Sequence, residues 1–232
     1  MLEFNVDKIT IPLKQHVGGP CQPIVSVGDH VKRGQLVATP NGLGANIHTS
    51  LSGVVESVDE MNIVVKLDKE QSDDYVKLEP TDDHLQRIKD AGIVGVGGAG
   101  FPTGIKLSAQ IPGGYVIANA AECEPVLGHN VRYMEEHPEE LVRGLKYILK
   151  LTGAKEGYIA IKTKYRKALL ALGKACKNEP NISIKILPNM YPAGDERVIV
   201  RETLGVVLQP GQLPLEANAI ISNVETIKRI VE

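Results

Sequence analysis

The sequence predicts two domains, an all-β module over residues 1–78 and an α/β domain with a largely parallel sheet over residues 79–232. A change of pattern carries this reading. From Ile9 to Leu67 the apolar residues fall in short β-rich runs broken by turn residues; beyond residue 83, strands alternate with helices. Between the two, acidic and polar residues cluster at Asp68–Asp74 and Glu79–Asp83, the composition of a loop and a boundary.

In the first domain the expected strands are Ile9–Leu13, Ile24–Val27, Gln35–Ala38, Gly53–Val58 and Asn62–Leu67. In the second, Tyr115–Ala118, Gly157–Ile161 and Ile182–Leu187 read as strands. A helix is expected from Pro138, a good first-turn residue. Glu139 and Glu140 suit its positive end, Leu141, Leu145, Ile148 and Leu149 form its apolar face, and Gly153 stops it. Further helices are expected at Lys164–Lys177, Glu196–Leu204 and Val224–Val231. Strands alternating with helices of this length imply an α/β layer.

Composition narrows the function. The net charge of −2 gives no basic field for DNA or RNA, so no nucleic-acid partner is expected. No apolar run approaches the roughly 20 residues needed to span a bilayer, and the start, MLEFNVDKIT, lacks the order of a signal peptide. A cytoplasmic location is expected. Cys21, Cys123 and Cys176 lie far apart without a CxxC, and the six histidines form no HExxH motif, so no metal site or disulfide framework is expected.

The segment from Gly95 to Lys106 packs five glycines, a Phe-Pro step and a terminal lysine into twelve residues. Glycines let backbone N–H groups approach a phosphate unobstructed, and Lys106 adds a positive charge at the far end. Gly95, Gly97 and Gly100 also satisfy GxGxxG, with Glu122 about 20 residues on, as a dinucleotide fold would have it. That motif should follow a buried strand, yet Leu85–Ala91 is polar with a helical pattern. A glycine-rich turn of structural purpose is the other reading.

The fuller string, Gly-Val-Gly-Gly-Ala-Gly-Phe-Pro-Thr-Gly-Ile-Lys, resembles the FMN loop of the flavin-binding 51 kDa subunit family of respiratory complex I. Asn119-Ala-Ala-Glu-Cys-Glu-Pro125, Tyr191-Pro-Ala-Gly-Asp-Glu196 and Asn223-Val-Glu-Thr226 are similar to three further family segments, in family order. Val27–Val37 and Ile47–Val55 resemble the hairpins of biotinyl and lipoyl carrier domains, a barrel-sandwich hybrid. No lysine occurs between Lys32 and Lys66, so the swinging arm of those carriers is not expected. Such a module before a flavin domain resembles the RnfC subunit of ion-translocating ferredoxin:NAD⁺ oxidoreductases and the proline-reductase-associated PrdC. Ile11–Cys21 and Gly42–His48 look closest to PrdC.

The resemblance implies roles. Gly97, Gly98, Gly100 and Lys106 would hold the FMN phosphate and ribityl chain, and Asn119, Glu122, Tyr191, Gly194, Asp195, Asn223 and Thr226 would line the flavin. Phe101 would stack on the nicotinamide nucleotide of NADH, Glu124 would meet its ribose, and Glu196 would stand beside flavin and nicotinamide and tune the potential. Other readings stay open: Glu122 and Glu124 as surface carboxylates, Phe101 as a core anchor, Tyr191 as a strand end, Cys123 as a small packing residue. Two positions depart from the complex I pattern, Ala121 where the family has aspartate and Ser222 where it has asparagine.

Relatives of this kind continue into a ubiquitin-like module and a domain with two 4Fe-4S clusters, so the clusters are expected only beyond Glu232, where this sequence stops. The expected activity is that of an NADH-dependent oxidoreductase module that passes electrons to an iron–sulfur centre or partner protein. The resemblance further implies a position on the cytoplasmic face of a membrane complex. Hydride transfer to FMN needs no protein nucleophile, because the cofactors carry the reaction. The competing class is a docking or scaffold fragment that has lost flavin affinity, which Ala121, Ser222 and the absent clusters favour.

Overall fold

Alternation of apolar and polar residues builds the first unit. In a computed structural model that describes residues 6–124 and 127–232, strand β1 (Lys8–Pro12) pairs antiparallel with β7 (Asn62–Leu67). β7 in turn pairs with β6 (Gly53–Val58), and β6 with β3 (His30–Val31). A second, three-stranded sheet has the order β2 (Gln22–Pro23), β4 (Leu36–Thr39), β5 (Ile47–His48). Ile11, Leu13, Val31, Val37, Ile47, Val55, Ile63 and Val65 face inward and form one core. In β7, Ile63 and Val65 are fully buried while Lys66 is exposed, as a half-buried strand requires. The expected strand at Ile24–Val27 is displaced to Gln22–Pro23, and Ile24 and Val27 are exposed.

Two compact units make up the chain, Met1–Ile105 and Lys106–Glu232. The sequence boundary at 78/79 follows composition, whereas this division follows packing. Residues 84–105 pack within the first unit: an added Cβ at Gly92 would run into the carbonyl of Asn46, and one at Gly100 would touch His16. Helix α1 (His84–Asp90) opens there on an Asp83 cap that accepts the Gln86 N–H at 2.9 Å, and α2 (Thr103–Lys106) follows the glycines.

The second unit carries a four-stranded parallel sheet of β8 (Tyr115–Ala120), β9 (Glu156–Lys162), β10 (Ile182–Leu187) and β11 (Ala219–Asn223), in the order β10-β9-β8-β11. β9 is buried from Gly157 to Lys162, the burial that a parallel sheet covered on both faces produces. Its helices are α3 (His129–Glu136), α4 (Pro138–Thr152), α5 (Arg166–Ala175), α6 (Glu196–Leu204) and α7 (Val224–Val231). α4 begins on Pro138 and ends at Gly153, whose φ of 66° is the left-handed stop that glycine adopts freely. α7 lies close on α4 because Gly144 has no side chain: a Cβ there would run into Cγ2 of Ile227. Gly144→Ala should therefore lower stability by about 1–3 kcal/mol, measured as a lower urea midpoint.

Candidate functional site

In the sheet order, β9 and β10 extend to one side of β8 and β11 lies on the other. The order in which strands are added thus reverses at the parallel pair β8 and β11, and open α/β sheets bind ligands at such a point, outside the carboxyl ends of the strands. Asn119 and Asn223, both expected site residues, are register partners there. Asn119 Oδ1 accepts the Ala121 N–H at 3.1 Å while its Nδ2 donates to the Gly194 carbonyl at 3.0 Å. One side chain thus ties the end of β8 to the loop before α6.

Two helices start at this end of the sheet. Asn223 caps α7 by accepting the Glu225 N–H at 2.8 Å, and Thr226 is buried in the first turn. Asp195 caps α6, accepting from Arg197 N at 2.9 Å and Val198 N at 3.4 Å. Burial by itself would raise the Asp195 pKa, but the hydrogen bonds from Arg197 and Val198 outweigh it and hold the carboxyl below its ordinary value. A depressed folded pKa contributes stability above the unfolded value, lost as pH falls through the folded one. Asp195→Ala should cost about 1 kcal/mol at neutral pH. The difference between the two proteins should shrink as a urea-denaturation series descends below the ordinary carboxylate range.

Lys106 is held twice, by the Glu196 carboxylate at 3.1 Å and by the Ile221 carbonyl of β11 at 2.7 Å. The structure so brings together the lysine after the glycines, the first turn of α6 and the switch-point strand. The Glu122 carboxylate accepts Asn130 Nδ2 at 3.1 Å from α3. Among the described residues the buried Asn130 Oδ1 has no hydrogen-bond partner. Glu124 is exposed and lines an open cleft of about 690 Å³ with Cys123, Arg132, Lys164 and Tyr165. Tyr191 is 76% exposed. Pro125, the last residue of the second family segment, lies outside the described residues.

Within the first unit the glycine segment is pinched at its base. Gly95 N donates to Phe101 O at 2.9 Å, Thr103 N to Ile93 O at 2.9 Å, and Val94 bridges Pro102. Residues 96–99 between these pairs are exposed. Gly97 and Gly100 have φ of 81° and 68°, a backbone that side chains resist. An added Cβ at Gly98 would meet nothing within 4 Å, so that side of the loop is open. Phe101 is partly exposed rather than a core anchor, at 38%. The segment does not follow a strand of the parallel sheet, since β8 comes after it, so it is not a dinucleotide fingerprint.

Sequence reasoning missed Lys162, Tyr165 and Asn130, which all touch Glu122. A lysine closing the apolar run Gly157–Ile161 was the available signal. Ala121 and Ser222, the two departures, are both buried.

A parallel sheet with candidate site residues gathered at its switch point makes this an open α/β domain, preceded in the chain by a small all-β module. The chain belongs to the Nuo51 FMN-binding domain family, matched over residues 88–232, and residues 4–76 match the RnfC barrel sandwich hybrid domain. It is 36% identical to a component of the Na⁺-translocating ferredoxin:NAD⁺ oxidoreductase complex of Acetobacterium woodii, an alignment covering 97% of this chain and 55% of that protein. Cobalamin reductase PduS of Salmonella typhimurium is 42% identical over 64% of this chain and 32% of its own length. An NAD⁺-reducing [NiFe]-hydrogenase structure superposes with a TM-score of 0.55 at 25% identity, covering 65% of this chain and 30% of that one. The chain thus spans about half the length of the Acetobacterium relative, and its relatives are oxidoreductases or components of them. Among the described residues no helix is long and apolar enough to cross a membrane.

Proposed function

We infer that this chain is an NADH-linked flavoprotein electron-transfer module, taking hydride from NADH onto FMN and passing electrons to an iron–sulfur or partner acceptor. The observation that carries the reading is the exposed glycine loop whose Gly98 side is open to an approaching group. The donor set also fits FMN: an ammonium at Lys106 and amide side chains at Asn119 and Asn223. The order of the family motifs supports reading both sets as contacts of one cofactor. When bound, FMN supplies acceptance of two electrons together and their release one at a time.

The chain's own residues would bind and orient. Backbone N–H groups at Gly97, Gly98 and Gly100, with Lys106, would take the phosphate and ribityl chain. Asn119, Glu122, Tyr191, Gly194, Asp195, Asn223 and Thr226 would line the ring, with Phe101 and Glu124 on the nicotinamide nucleotide. Glu196 adds a negative charge, partly neutralised by Lys106. Glu196→Gln should therefore raise the flavin midpoint potential more than it alters affinity, because the reduced anion loses a like-charged neighbour. An unchanged potential in spectroelectrochemical titration would place Glu196 away from the ring.

Titration of the chain with FMN, followed by anaerobic NADH, tests the whole reading. Saturable quenching of flavin fluorescence and then bleaching of the oxidised band are expected. Absence of binding to folded protein would favour a docking module, the reading that buried Ala121 in place of a family aspartate supports.

A further inference from the structure

Lys162 ends β9 and is 4% exposed, yet among the described residues no carboxylate pairs with it. Buried lysines are rare and are ordinarily matched by an opposite charge. Here Nζ donates to the Glu122 carbonyl at 3.0 Å and approaches Cys123 Sγ at 3.6 Å. The nearest acid in sequence to these contacts, Glu122, directs its carboxylate to Asn130 instead. Tyr165 donates to the same Glu122 carbonyl at 3.2 Å, and Gly194 N to the same sulfur at 3.3 Å. Lys162 therefore holds the turn that leaves β8 and, through the sulfur, the loop that carries Gly194, Asp195 and Glu196.

Two neutral donors would suffice to hold a carbonyl and a thiol. A buried ammonium does more, because its charge is weakly screened and lowers the energy of any negative charge that develops nearby. We propose that Lys162 is a positioning residue of the flavin site whose buried charge favours reduced over oxidised flavin. This rests on the flavin reading above. In that reading Glu122, which Lys162 touches directly, and Gly194, which it reaches through Cys123, line the ring.

Binding of oxidised and of chemically reduced FMN to the wild-type chain, Lys162→Met, Lys162→Arg and Tyr165→Phe tests it. Lys162→Met should lose about tenfold in its preference for reduced FMN, and the midpoint potential should move negative accordingly. Lys162→Arg should keep the wild-type preference. Tyr165→Phe, which removes a donor from the same carbonyl without removing charge, should weaken both forms alike. Should Lys162→Met fail to fold, Lys162→Gln keeps two donors without the charge and should show the same lost preference. An unchanged preference in the uncharged variant overturns the proposal, leaving a clamp only. A wild-type chain that is folded but binds neither form overturns the flavin reading itself.

Discussion

Lys106→Ala should weaken FMN binding about 10- to 150-fold, the equivalent of the roughly 1.5–3 kcal/mol carried by a hydrogen bond to a charged group. The fold should survive the change with a modest loss, part of it from the Ile221 carbonyl that loses a donor. The Lys106–Glu196 pair is partly exposed, at 29% and 45% for the two side chains, and pairs of that kind contribute at most about 1 kcal/mol. A second effect has to be separated from the first, because removing the lysine leaves the Glu196 carboxylate without its neutralising partner. That carboxylate would repel a phosphate without any direct lysine–phosphate contact having existed. The double variant Lys106→Ala/Glu196→Gln decides between them. If Lys106 touches the phosphate, the double variant stays as weak as the single one; if repulsion by Glu196 is the cause, affinity returns. Wild-type affinity in Lys106→Ala, measured by fluorescence titration, would remove the lysine from the site.

The elements that sequence reasoning located are those whose pattern matches their burial. Gly53–Val58 and Asn62–Leu67 alternate and are half buried; Ile182–Leu187 is a β-branched run between helices; Pro138 and Gly153 mark the ends of α4 by backbone chemistry alone. What was missed lacks such a signature. β11 is five residues long, ends in Ser-Asn, and is a strand because β8 offers it a parallel edge. α3 buries an asparagine, a tyrosine and a methionine rather than an aliphatic stripe. Ile24 and Val27 have β propensity but no core to face, since Pro23 and the turn at Gly28 confine pairing to two residues. The site divides in the same way. Lys106, Asn119, Gly194 and Glu196 could be picked out as candidates because each sits in a local string of motif residues. Lys162 and Tyr165 act across 40 and 43 residues on one carbonyl, and no local string encodes that contact.

Gly98→Val should abolish measurable FMN binding, a loss of about 100-fold or more if two charge-assisted backbone contacts to the phosphate are blocked. Of the glycines in the loop, Gly98 separates binding from folding most cleanly. Gly97 and Gly100 occupy the left-handed region, so any side chain there strains the backbone, and at Gly100 it would also press on His16. A Cβ at Gly98 meets nothing within 4 Å. The free protein gains no clash, and its urea midpoint should stay near wild type, as exposed substitutions generally do. The branched valine would instead fill the open side of the loop, where a phosphate must come within hydrogen-bond distance of the backbone N–H groups. Gly98→Ala provides the graded comparison, since its single methyl obstructs less and should bind more weakly than wild type but more tightly than valine. A Gly98→Val chain that binds FMN like wild type would mean that the glycines serve only to turn the chain.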